Sequence, residues 1–194
     1  MDTQCRRLAI AFLFAAIMCA ATGQVSAFWS MPGTTGTVDE SGASKLLLND
    51  TGSASIRSSV TGMVRIRYAV TVNHVHAPWD DPDPDWKMCM RLMVRDTGPG
   101  SRVLARLKRI AYWTGEQMTL GSFDSDVWLS EQNDQYQATG SCDLRDPDAN
   151  GGSGGRLLNV DLSRYSYYVE VDLIKTDLSG NPGIKQVMLV TEEL

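Results

Sequence analysis

Residues 86–110, WKMCMRLMVRDTGPGSRVLARLKRI, read as two alternating strands joined by the turn Asp96-Thr97-Gly98-Pro99-Gly100. Before the turn, Trp86, Met88, Met90, Leu92 and Val94 share one face, and Lys87, Cys89, Arg91, Met93 and Arg95 share the other. After it, Val103, Ala105 and Leu107 alternate with Arg102, Leu104, Arg106 and Lys108. A period of two is the mark of a strand with one buried face. Gly98 and Gly100 are free to take positive φ and Pro99 holds its own, so the chain can reverse here. Both strands turn apolar residues inward and a largely cationic face outward.

The same pattern recurs on either side. From Met63 to Asn73, Val64, Ile66, Tyr68, Val70 and Val72 alternate with Arg65, Arg67, Ala69 and Thr71. Tyr167, Val169, Val171 and Leu173 are opposed by Tyr168, Glu170, Asp172 and Ile174, and a turn at 179–183 delivers a terminal strand from Ile184 to Val190. Shorter strands are expected at 45–48, 118–123, through Tyr136, Ala138 and Gly140, and at Leu158, Val160 and Leu162. About eight to ten short strands with Gly, Pro, Asn and Asp punctuation and no sustained helical period indicate an all-β fold, an antiparallel β-sandwich. Jelly-roll and immunoglobulin-like topologies both fit. Trp113 and Trp128 lie between Cys89 and Cys142, but in or beside turns rather than at the immunoglobulin core position.

Residues 1–27 carry the three parts of a cleaved signal peptide. Arg6 and Arg7 form a positive start, Leu8 to Ala21 an apolar run, and Val25-Ser26-Ala27 a small-residue cleavage site. The apolar run falls short of the roughly 20 residues that a bilayer span needs. The protein is therefore expected to be secreted, periplasmic or extracellular, and the short Arg-flanked apolar run suits a bacterium. No later stretch is apolar enough to span a bilayer. Residues 28–44, rich in Gly, Thr and Ser, read as a flexible leader, and residues 45–194 as a single sandwich domain. The Asn49-Asp50-Thr51 sequon would be used only on a glycosylating secretory route.

Cleavage leaves Cys89 and Cys142 as one candidate disulfide in an oxidising compartment. Closing that loop would restrict the unfolded chain by about 4 kcal/mol on the chain-entropy model. Because Cys89 lies on the outward parity, its partner is expected on a neighbouring strand or loop. The full chain has 18 basic and 23 acidic residues, a formal net charge of -5. An acidic protein gains little from counterion release on a phosphate backbone, so nucleic acid is not an expected partner.

Four candidate sites follow from the residues. Asp146-x-Asp148-x-Asn150-Gly151 matches the opening of a calcium loop, though its twelfth position is Leu157 rather than Glu, and Asp80, Asp81, Asp83 and Asp85 form a second oxygen-rich cluster. His74 and His76 would point the same way on extended chain and, with Asp80 or Asp81, suggest a transition-metal site of a metal-dependent hydrolase. Glu170-Val171-Asp172 resembles the start of the ExDxxE motif of one family of β-sandwich glucanases. Its second Glu falls at Lys175, which removes one of the two carboxylates that glycoside hydrolysis needs. Tyr112, Trp113, Trp128, Tyr165 and Tyr168 are candidate platforms for stacking on sugar rings or peptides.

Taken together, the residues indicate a secreted, non-enzymatic binding or structural protein, with a glycan or an envelope protein as partner and no required cofactor. A calcium-assisted carbohydrate-binding module and a hydrolase using His74 and His76 are the alternatives. The cations on 86–110 are expected to pair with strand and loop carboxylates rather than to form a free basic surface.

Overall fold

A computed structural model of the 194-residue chain describes residues 26–71, 86–128, 133–142, 144–146, 156–157 and 162–193. The strands are β1 (Ser26–Pro32), β2 (Thr37–Val38), β3 (Leu46–Leu48), β4 (Ala54–Ile56), β5 (Gly62–Ala69), β6 (Trp86–Asp96) and β7 (Ser101–Ala111). They continue with β8 (Gln117–Asp124), β9 (Asn133–Ser141), β10 (Arg145–Asp146), β11 (Arg156–Leu157), β12 (Tyr165–Lys175) and β13 (Gly183–Glu193). Two single-turn helices, α1 (Glu40–Ala43) and α2 (Ser125–Trp128), complete the described elements with a 3-10 turn at Gly33–Thr35.

One sheet runs β3-β4-β13-β6-β9, with β1 also paired to β13, and the other runs β2-β5-β12-β7-β8. The ladders are antiparallel. Four consecutive pairs, β4/β5, β6/β7, β8/β9 and β12/β13, each place one strand in either sheet. The order 4-13-6-9 therefore faces 5-12-7-8, which is the jelly roll of the two expected topologies.

The two strands of 86–110 are not edge-to-edge partners. β6 pairs with β13 and β9, whereas β7 pairs with β12 and β8. Each strand has one apolar face, and an arch between sheets sets those faces against each other across the core. Gly98 (φ 79) and Gly100 (φ 69) lie in the left-handed region, where a side chain is strained. A Cβ at Gly98 would also collide with the Ser179 carbonyl, and one at Gly100 with the Thr176 hydroxyl. The arch is bonded to its neighbour between β12 and β13. The Asn181 amide donates to the Thr97 carbonyl, and the Thr176 amide to the Gly100 carbonyl, each at 2.7 Å.

The core lies between the sheets. Met88, Met90, Leu92 and Val94 of β6, with Val187 and Leu189 of β13, oppose Val103, Ala105 and Leu107 of β7, Val169, Val171 and Leu173 of β12 and Val64 and Ile66 of β5. Full burial of a Val, Leu, Ile or Met side chain contributes roughly 1.5–3 kcal/mol. The alternation read from the sequence thus supplies both inner faces.

The structure corrects the expectation of a flexible leader at 28–44. Trp29 is buried, Met31 packs against the core, and β1 runs along β13 from Ser26↔Thr191 to Pro32↔Gln186. This pairing covers backbone groups of β13 that would otherwise be open to solvent. Further on, Thr37 and Val38 pair with β5. The Asn49 side chain of the sequon accepts from the Thr51 hydroxyl at 2.7 Å and the Ser53 amide at 2.9 Å, so it organises the turn between β3 and β4. Cys89 and Cys142 form a disulfide. It joins β6 to the residue just past the end of β9, one step beyond the Met90↔Ser141 pair, and so chooses the neighbouring strand's end from the strand or loop that parity left open.

Candidate functional site: a cation-rimmed groove on the five-stranded sheet

The sheet order β5-β12-β7-β8 brings together residues far apart in the chain. On the face away from the core, β5 offers Arg65 and Arg67, β12 offers Tyr168, Glu170 and Asp172, β7 offers Arg102, Arg106 and Lys108, and β8 offers Asp124. Register places Glu170 between Arg67 and Arg106, Asp172 between Arg65 and Leu104, and Tyr168 between Ala69 and Lys108. The acidic central strand is thus flanked by two basic ones, and opposite charges directly across a ladder attract.

The contacts follow from that register. Glu170 Oε1 accepts from Lys108 Nζ at 2.8 Å and Arg106 Nη1 at 3.3 Å, and its Oε2 from Arg67 Nε at 3.3 Å. Asp172 Oδ1 accepts from Arg65 Nε at 2.7 Å, and its Oδ2 from Arg65 Nη2 at 3.1 Å and Arg106 Nη1 at 2.8 Å. Arg67 reaches outward from Glu170 to Asp39, where Nη1 donates to Oδ1 at 2.7 Å. At the far end of the face, Arg102 binds Asp124 and Asp126. Arg102, Arg106 and Lys108 of β7 are paired with strand and loop carboxylates, as expected, whereas Arg95 of β6 departs from that expectation, donating to the Asn181 carbonyl and side-chain oxygens and lying over the Tyr136 ring.

Burial separates the two signs. The Glu170 and Asp172 side chains are each 3% exposed, whereas those of Lys108, Arg65 and Arg67 are 20%, 30% and 41% exposed. Desolvation by itself would push both carboxyls up in pKa. For Glu170 it is outweighed by the Lys108 hydrogen bond and by the charges of Lys108 and Arg65, so its pKa lies below the usual range. For Asp172 it is outweighed by hydrogen bonds from Arg65 and Arg106, with the same result. The Arg65 guanidinium is raised, first by its hydrogen bond to Asp172. Both carboxylates are therefore ionised and orient the cations above them.

A groove of about 660 Å³ opens beside this cluster. Arg65, Arg67, Lys108, Gln117, Tyr168 and Glu170 line it, and Thr35, Thr37 and Ile110 add to its walls. The Tyr168 hydroxyl donates to Gln117 Oε1 at 3.4 Å, a long bond that still places ring and amide side by side. Ligand pockets commonly have volumes of about 300–1,000 Å³.

The structure divides the aromatic candidates. Tyr168 lines the groove. Trp113, 90% exposed on the turn between β7 and β8, and Tyr165 line a smaller cleft of about 210 Å³ with Arg109, Glu116, Met118 and Arg164. Tyr165 is held there by the Arg109 guanidinium, 4.4 Å from its ring centre, and by Arg164 at 5.7 Å. Tyr112 is exposed beside that turn and lines neither opening. Trp128 ends α2, and its side chain lies outside the described residues.

Most metal candidates also lie outside the described residues: His74, His76, Asp80, Asp81, Asp83, Asp148 and Asn150. Of the calcium-ligand candidates only the Asp146 backbone is placed, in the short β10 ladder opposite Arg156, with the twelfth position, Leu157, opposite Arg145. Among the described residues, no group of three or more His, Cys, Asp or Glu side chains is arranged to hold a metal ion. The ExDxxE-like pair is described fully. Glu170 and Asp172 share a face, as the strand period requires, but they are ion-paired, and Lys175 is buried, donating to the Arg57 and Ser58 carbonyls at 3.2 and 3.0 Å.

Sequence reasoning missed Arg65, Arg67, Gln117 and Thr37 as site residues, and also Arg109. The parity of 64–70 placed Arg65 and Arg67 on an outer face, but only the pairing of β5 with β12 sets them over Glu170 and Asp172. Arg109 shares the inward parity of Leu107, where an arginine at a strand end signals an aromatic or anionic partner.

Fold and site together define a jelly-roll β-sandwich with a polar, cation-rimmed groove on its five-stranded sheet. No protein-family model matches the chain, and no curated protein matches it. Among solved structures, it is similar to a family two carbohydrate esterase from Cellvibrio japonicus, with 10% identity, TM-score 0.42 and 88% of this chain covered, but only 35% of that one. It is also similar to a family 11 carbohydrate-binding module from Clostridium thermocellum, solved with a β-1,3-1,4-mixed-linked tetrasaccharide, with 12% identity, TM-score 0.36 and 82% and 86% of the two chains covered. A third likeness is to a carbohydrate-binding module that recognises mannan, with 7% identity, TM-score 0.35 and 88% and 96% covered. These are distant likenesses in shape, and the groove's own chemistry bears on function.

Proposed function

We propose that the protein is a secreted, non-enzymatic glycan-binding protein whose ligand lies along the groove of the five-stranded sheet. The observation that carries this reading is the joint placement of the Tyr168 ring and the Gln117 amide beside donors already held by ion pairs. A saccharide presents an apolar ring face and a rim of hydroxyls. The first suits an aromatic ring, and the second suits Thr, Gln, Lys and Arg side chains in fixed positions. Donors locked before binding lose little entropy when the ligand arrives.

The ion pairs of Glu170 and Asp172 support a positioning role for these two carboxylates over one as a glycosidase pair. Glycoside hydrolysis uses one protonated carboxyl as general acid. Glu170 and Asp172 are both held ionised by their cations, so neither has a proton to donate. The signal-like segment at 1–27 and the Cys89–Cys142 disulfide support export to an oxidising compartment.

Affinity electrophoresis through native gels containing soluble polysaccharides tests the reading. Retardation by at least one polysaccharide is expected, with Tyr168→Ala weakening it about tenfold, or roughly 1.4 kcal/mol. Unchanged mobility across neutral and acidic polysaccharides would refute it.

A further inference from the structure

We infer that the glycan bound in this groove is an anionic polysaccharide, one carrying carboxylate or sulfate groups. This rests on the glycan-binding reading and names its ligand class. In a chain of net charge -5, the groove lining is a place where cations outnumber anions. Arg65, Arg67 and Lys108 line it against Glu170 as its one carboxylate among the described lining residues. Exposure sharpens the imbalance, because the two central carboxylates are covered and the cations stand above them. An approaching ligand therefore meets guanidinium and ammonium groups, and Glu170 and Asp172 serve to orient them.

The wider cluster keeps the same sign. Arg65, Arg67, Arg106 and Lys108 face Glu170 and Asp172 at the centre and Asp39 at the rim. Asp39 is the informative member. It lies on the exposed flank of Arg67, with both side chains more than 40% exposed, and a pair so placed contributes little to stability. It occupies a flank of Arg67 that an acidic sugar can take in its place, since guanidinium groups match planar carboxylates and bind sulfate oxygens as readily.

The test is isothermal titration and affinity electrophoresis of the full mature chain with polygalacturonate, dextran sulfate, neutral mixed-linkage glucan and single-stranded DNA. At least one acidic polysaccharide is expected to bind at least tenfold tighter than the neutral glucan, and the polygalacturonate and dextran sulfate arms tell carboxylate from sulfate. Raising ionic strength from about 0.01 M to about 1 M shortens the Debye length from about 30 Å to about 3 Å, and is expected to weaken that binding at least tenfold. Asp39→Asn, an exposed change that spares the fold, is expected to tighten it about threefold, and Lys108→Gln to weaken it about tenfold. Neutral glucan bound as tightly as the acidic polymers, or acidic binding indifferent to both salt and Asp39→Asn, overturns the inference and leaves the glycan reading standing. Failure to bind any polysaccharide, or preference for DNA, overturns both.

Discussion

Glu170→Gln tests the physics on which the groove depends. The substitution keeps shape but removes a charge that is 3% exposed and touched by Lys108, Arg106 and Arg67. A hydrogen bond to a charged partner is worth about 1.5–3 kcal/mol, and breaking a buried pair costs about 3–5 kcal/mol. The cations here are partly solvated and Asp172 still holds two of them, so the loss is expected at about 2–4 kcal/mol. For a domain of this size that lowers the melting temperature by about 5–15 °C near neutral pH. The pH dependence then identifies the cause. Glu170 and Asp172 have folded pKa values below their unfolded ones, so their stabilisation is fully present above the unfolded carboxylate range, near pH 4, and is lost as pH falls through the lower folded values. Wild type is expected to lose stability below about pH 4, while the variant, already lacking one titrating group, loses less, so that the gap between them closes in acid. Thermal unfolding followed by circular dichroism at a series of pH values measures both. A variant melting within about 2 °C of wild type at neutral pH, or a gap that persists unchanged in acid, would refute the claim that Glu170 is an ionised hub.

Other expectations follow from the same architecture. Gly98→Ala puts a Cβ into the Ser179 carbonyl at a positive φ, and a loss of about 1–3 kcal/mol is expected in urea unfolding, whereas Gly115→Ala, also at positive φ but with open space around it, should cost less. Leu107→Ala opens a cavity at a wholly buried site between the sheets and should cost about 2–5 kcal/mol, read from the same midpoint shift. Reduction of Cys89–Cys142 should lower stability by about 2–4 kcal/mol, and thiol labelling in the native state should find neither Cys89 nor Cys142 free before it. Chelation of divalent cations with EDTA is expected to leave glycan affinity unchanged, because the one carboxylate of the described groove, Glu170, is already taken up by Lys108, Arg106 and Arg67; lost binding would assign calcium a part in the site.

Period two was enough to read β5, β6, β7 and β12 and to assign their inner and outer faces, because a strand's pleat sends successive side chains to opposite sides whatever its neighbours are. Val64 and Ile66, Met90 and Leu92, Val103 and Leu107, and Val169 and Val171 are all buried where parity put them. Cysteine count, with Cys5 and Cys19 set aside in the signal-like segment, pointed to the disulfide, and parity left its partner open between a neighbouring strand and an overlying loop. The leader at 28–44 was misread because one-sided composition, Gly and Thr with few apolar anchors, does not reveal that an edge of β13 is waiting to be paired. Of the site, Tyr168 was legible as an outward-facing aromatic, and Arg102, Arg106 and Lys108 as partners of carboxylates.

What the sequence determined alone was local: strands, faces, turn glycines, a signal-like start and the balance of charge. Only tertiary structure decided that the turn at Asp96–Gly100 is an arch between sheets, that β12 lies between β5 and β7, and hence that Glu170 and Asp172 sit beneath Arg65, Arg67, Arg106 and Lys108. The reason is that alternation specifies which way a side chain points but not which strand lies beside it. Pairing is set by the joint fit of every strand to one core, and the groove exists only once that fit is made.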